Sequence, residues 1–84
     1  MGRYFADSFY WIALLYRRDM WHEQVTAFSQ MLTSHDTLFT TDAVLTEFLA
    51  AVSAAGPYMR QRAADRVDEI LGDPRHHVVE MTRS

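Results

Sequence analysis

The chain has 84 residues, no cysteine and a formal charge of −3. A chain this short is one small domain that buries little more than ~60% of its unfolded surface, and no disulfide or thiolate–metal framework can brace it. Its basic residues are all arginine and are outnumbered by acids, 8 to 11, so no bulk positive field draws it to nucleic acid and any RNA contact must be local.

In chain order, Arg3 to Ala6 reads as a buried strand ending at Asp7-Ser8. Ser8 is placed to cap a short buried helix over Phe9 to Tyr16, with Arg17-Arg18 at its positive-favouring end. That apolar run is far below the ~20 residues of a membrane-spanning helix. No membrane partner is therefore expected, and the absence of cysteine suits a cytoplasmic location. Asp19 is placed to cap a second helix, in which Trp21, Val25, Phe28 and Leu32 share one face. Thr33 to Thr37 reads as a loop, and Leu38 to Thr41 as a second strand. Asp42 is expected to cap a third helix, Ala43 to about Ala55, closed by Gly56-Pro57. The fourth helix spans Pro57 to Leu71, with Met59, Ala63, Val67 and Ile70 as its core stripe, Gly72 as its C-cap and Pro74 as a stop. His77 to Met81 reads as a third strand. Strands separated by helical crossovers predict an α/β fold with a parallel sheet.

Two acids interrupt this pattern. Asp7 stands between Tyr4-Phe5-Ala6 and Phe9-Tyr10-Trp11-Ile12, at the carboxyl end of the first strand, where open parallel sheets place ligands. An unpaired buried carboxylate is costly, so Asp7 either caps the first helix or faces a cation. Glu47 is three residues after Val44 and four before Ala51, on or beside the expected buried stripe of the third helix. It is either a rim glutamate reaching water or an acid that needs a cation. If the first two strands are neighbours, Asp7 and Glu47 face a common spot, Glu47 lying roughly 6–8 Å along its helix. Two hard oxygen donors suit Mg²⁺ or Mn²⁺ better than Zn²⁺.

Arg3-Tyr4-Phe5-Ala6-Asp7-Ser8-Phe9-Tyr10-Trp11-Ile12 resembles the opening of PIN domains of the VapC toxin type. Asp19-Met20-Trp21-His22 resembles the start of their second helix. Thr40-Thr41-Asp42-Ala43-Val44-Leu45-Thr46-Glu47 resembles their second acidic motif, and Val78 to Thr82 their third strand and its exit. The resemblance implies a three-layer PIN-like fold, here truncated, with sheet order 3-2-1-4-5. It also implies an Mg²⁺- or Mn²⁺-dependent ribonuclease, the toxin of a toxin–antitoxin pair. Asp7 and Glu47 would be catalytic metal ligands, with Ser8 and Thr41 as supporting hydroxyls. The family's Ser or Asn two residues after the first acid is Phe9 here. Its later acids and its fourth and fifth strands have no counterpart in this chain, so impaired turnover is expected.

The implied partners are RNA, and either an antitoxin protein or a second copy joined through an open sheet edge. The alternative is a non-catalytic PIN-like interaction module, or a different α/β protein in which both acids are structural. His76 and His77 point to opposite strand faces and are not expected to share an ion. His22 with Asp19 reads as helix-start capping. Arg60, Arg62 and Arg66, interleaved with Asp65, Asp68 and Glu69, read as a solvated face. Trp11 and Trp21 are expected in the core.

Overall fold

The computed structural model describes residues 2–80, so Met81 and Thr82 at the expected strand exit lie outside the described residues. The order is β1 (Arg3–Phe5), α1 (Ser8–Leu15), α2 (His22–Met31), β2 (Thr37–Thr41), α3 (Asp42–Ser53), α4 (Pro57–Gly72) and β3 (His76–Val79). The strands form a parallel sheet in the order β1-β2-β3. The chain is thus the α/β protein that its periodicities predict, with three parallel strands and four helices.

Register fixes which side chains share a face. Tyr4 pairs with Leu38 and Phe5 with Phe39; Leu38 pairs with His76, Phe39 with His77, Thr40 with Val78 and Thr41 with Val79. Leu38 and Thr40 are buried on one face. There Trp11 of α1, Leu45, Phe48 and Val52 of α3, and Ala63 and Ile70 of α4 join Leu38 in one core. The α2 helix reaches the same face at its β1 end, where Phe28 meets the Tyr4 ring edge-on at 5.0 Å. Both crossovers advance in the same direction across the sheet, and right-handed connections then put every helix on the same side. Among the described residues, no helix covers the opposite face. Phe5 is 63% and Val79 38% exposed, and Phe39 is covered only in part, by the edge of the His77 ring at 5.2 Å. The molecule is accordingly 18 Å thick along its short axis, as two layers of roughly 10 Å require. The described residues supply these two layers of the expected three-layer arrangement.

Thr40 ties the layers together. Among the described residues it is the buried polar side chain, at 0% exposure. Its hydroxyl donates to the Ala6 carbonyl at 2.8 Å and accepts from the Trp11 indole N–H at 3.2 Å. Every polar atom in that cluster is therefore satisfied, as burial demands. At the amino ends of β2 and β3, Arg75 donates through Nε and Nη2 to the two Asp73 carboxylate oxygens (3.2 and 2.8 Å) and through Nη1 to the Leu32 carbonyl (3.2 Å). This clasp joins the turn after α4 to the end of α2.

Several local expectations are corrected. β1 is exposed along its length rather than buried, because it is an edge strand with a bare face. Trp21 is 45% exposed and not in the core. It is the N-cap of α2, whose stripe lies over the sheet margin and is buried in the core only at Leu32, the C-cap. Asp19 does not cap α2; its carboxylate accepts the Trp21 N–H at 2.8 Å in the turn before it. The positive-φ glycine is Gly56 (φ 102°), the N-cap of α4, whereas Gly72 is the last residue of that helix and Asp73 its C-cap. The Met59, Ala63, Val67, Ile70 stripe does face the core.

Candidate functional site

Asp7 follows β1 after one intervening residue, Ala6, and Thr41 is the last residue of β2. The Ala6 N–H donates to the Phe39 carbonyl at 2.8 Å, which carries the β1–β2 register one step beyond Phe5. Asp7 and Thr41 therefore leave adjacent strands, roughly 5 Å apart, at the carboxyl end of the sheet. Each strand turns at once into a helix, and each of these two residues is the cap. Asp7 is extended (φ −94°, ψ −177°), and its Oδ1 accepts the Tyr10 N–H at 3.2 Å. The Thr41 Oγ1 accepts the Val44 N–H at 3.0 Å. The expected caps, Ser8 and Asp42, are instead the first residues of α1 and α3. The extended strand conformation runs one residue further than the composition suggests, and the cap moves back with it.

Asp7 is exposed, as is Glu47. The buried face of α3 is Leu45, Phe48 and Val52, a stripe of spacings three and four that turns position 47 toward solvent. Val44 lies at the margin of that stripe and Ala51 outside it. Counting those two as core had drawn the face one residue too wide. Neither acid therefore carries the desolvation that would demand a compensating cation. The argument for them reduces to position, with α1 and α3 packed against each other and rising from neighbouring strand ends.

The donor chemistry fits a hard cation in part. Asp7 Oδ1 is engaged in capping, which leaves Oδ2; Glu47 offers a solvent-facing carboxylate; the Thr41 hydroxyl keeps its own proton for donation; and Ser8 opens α1 beside Asp7. Mg²⁺ accepts one or two carboxylates and retains waters. Among the described residues, however, no three His, Asp or Glu side chains gather as a metal-holding group. The space beside Asp7 is an apolar groove of about 350 Å³ between α1 and α2, walled by Phe9, Trp21, Val25 and Phe28. Glu47 does not line it. Phe9, the departure from the family pattern, is 58% exposed at this groove.

His76 and His77 part to opposite strand faces as read from the sequence, whereas the expected helix-start capping by His22 with Asp19 is not found. His76 sits edge-on to Trp11 at 5.6 Å on the helical face, and His77 lies against Phe39 on the bare one. His22 is bound structurally, its Nδ1 2.7 Å from the Ala13 carbonyl, to which it donates.

No family model, curated protein or solved structure matches the chain, so its function must be argued from these residues alone.

Proposed function

We propose that the chain is a PIN-like, metal-dependent ribonuclease domain, the toxin component of a toxin–antitoxin pair, with Asp7 and Glu47 as its metal ligands. The observation that carries this reading is the placement of Asp7 and Thr41 at the carboxyl ends of adjacent parallel strands, with Glu47 on the helix rising from the second. The β1-β2-β3 order also matches the first three of the five strand positions that the resemblance implies. Bound Mg²⁺ or Mn²⁺ would polarise a phosphodiester and make a water nucleophilic. Asp7 would hold the ion through Oδ2 while Oδ1 keeps the helix capped, and Glu47 would supply the second carboxylate. Ser8 and Thr41 would orient ligand oxygens by hydrogen bonding. With only these two acids, weak binding and slow turnover are expected.

Mn²⁺ titration followed by electron paramagnetic resonance tests the ligand assignment. Asp7→Asn keeps the cap, since Asn and Asp cap equally well, so its fold should be intact and its Mn²⁺ binding lost; Glu47→Gln should lose binding as well. Mn²⁺ binding that survives both substitutions sinks the reading. Cleavage of single-stranded RNA in Mg²⁺ should be barely measurable in the parent chain and absent in Asp7→Asn.

The bare sheet face and the exposed β1 edge favour a second reading, a non-catalytic module that associates with another copy of itself. An antitoxin covering the same apolar surface belongs to the first.

A further inference from the structure

Arg62 and Arg66 lie one turn apart on α4, amid acids that suggest a solvated face. The fold adds what their spacing could not show. Arg17, just beyond the end of α1, lines the same cavity of about 360 Å³ as Arg62 and Arg66, together with His22, Thr26 and Ser29 of α2. Two segments distant in sequence, the turn after α1 and helix α4, thus bring three of the chain's 8 basic residues to one concavity. Among the described residues no carboxylate lines it, in a chain with 11 acidic residues.

The neighbouring acids are accounted for. Asp65 and Glu69 line an adjoining, smaller hollow beside Arg62 and Arg66. Asp65 accepts from Gln61 at 2.9 Å, and Glu69 meets the Arg66 Nε at 3.7 Å from a side chain 70% exposed. That contact is long and solvated, and contributes little. The Arg62 guanidinium lies 6.0 Å from the centroid of the Tyr58 ring, a cation–π contact at the limit of its range that uses none of its donors. Arg66 is itself only 29% exposed. Guanidinium groups present planar, bidentate donor forks matched to phosphate oxygens; the Ser29 hydroxyl is shared with the Tyr10 hydroxyl at 2.6 Å and the Thr26 hydroxyl faces His22 Nε2 at 3.5 Å, so the arginines carry the site. We propose that this cavity, where the end of α1 meets α2 and α4, binds a phosphate group. The proposal is independent of the metal reading: α1 separates the cavity from Asp7, which stands at the opposite end of that helix.

Nuclear magnetic resonance titration of the full chain with inorganic phosphate tests it, observed at the arginine Nε–H resonances. Saturable shifts are expected at Arg17, Arg62 and Arg66. Affinity should fall about tenfold in the Arg17→Gln, Arg62→Gln double variant and less in Arg62→Lys, which keeps charge but loses the fork. Asp7→Asn should bind phosphate like the parent, which separates failure here from failure of the metal site. A short single-stranded oligoribonucleotide forms the second arm. If it displaces phosphate from these resonances, the group belongs to a polynucleotide backbone; if free phosphate binds and the oligonucleotide does not compete, it belongs to a small molecule. Should the double variant not fold, Arg17→Gln alone decides, because Arg17 lies outside the helices and is exposed. Absence of saturable shifts with either probe, or undiminished phosphate binding by the arginine variants, overturns the proposal.

Discussion

The Asp73 carboxylate accepts the Arg75 Nε–H and Nη2–H and also the Arg75 backbone N–H at 2.8 Å. The side-chain bonds from Arg75 hold its pKa down to about 2, from an ordinary 3.8. A carboxyl group whose pKa is lower in the folded than in the unfolded state stabilises the fold above the unfolded value, and that contribution disappears as pH falls through the folded one. The window is therefore about pH 4 down to 2. The full shift corresponds to about 2.5 kcal/mol; with both partners in contact with water, about 1 kcal/mol is the realistic share. Asp73→Asn should lower the unfolding free energy from urea titration at pH 6 by that amount and flatten the loss of stability between pH 4 and 2. An acid limb as steep in Asp73→Asn as in the parent would locate the titration elsewhere. None of this was legible in the sequence, where Asp73-Pro74-Arg75 reads only as a turn: a bidentate pair two residues apart depends on the bend between them.

At the scale of the element, the α1 cap makes a separable prediction. Asp7→Ala removes the acceptor for the Tyr10 N–H and should cost about 1 kcal/mol in chemical unfolding, whereas Asp7→Asn should cost only a few tenths. Equal stability of the Ala and parent chains would show that the cap contributes nothing. Helices and strands were largely legible because apolar spacing survives any uncertainty about ends: the α4 stripe was read residue for residue. The capping residues were legible only in part: the capping reading of Asp7 holds, whereas Ser8 and Asp42 give way to Asp7 and Thr41 because the sheet holds the chain extended one residue further. Glu47 was misplaced for a related reason. An apolar residue at a helix margin, such as Val44, looks the same in sequence as one in the core. The candidate acids were thus legible as residues at strand ends, and their exposure was not.

For the whole molecule, the two-layer arrangement leaves an edge as well as a face. The Thr37 N–H bonds the Gly2 carbonyl and the Ala6 N–H the Phe39 carbonyl. By the alternation of a parallel ladder, the backbone groups of Arg3 and Phe5 point away from the sheet. Such an edge pairs readily with another strand. Two β1 strands related by a two-fold axis would set Arg3 against the partner copy's Phe5, avoiding like charges. Phe5→Pro removes an outward N–H without touching a bond to β2, a substitution that edge strands accept. Sedimentation equilibrium should find the parent chain as a concentration-dependent dimer and Phe5→Pro as a monomer of unchanged circular dichroism. A parent chain that stays monomeric at every concentration would rule out this pairing. The parallel sheet itself was legible from helices alternating with strands, whereas the bare face emerges only once both crossovers are seen to advance the same way.

The Arg75 clasp grips the sheet where β2 and β3 begin, while Asp7 and Thr41 stand where β1 and β2 finish. Rigidity is thereby concentrated at one pole and chemical availability at the other. Substitutions made far apart on these two poles share no contacts and should combine additively. The acidic end can therefore be re-equipped, residue by residue, while the fastening at the opposite end keeps the sheet closed.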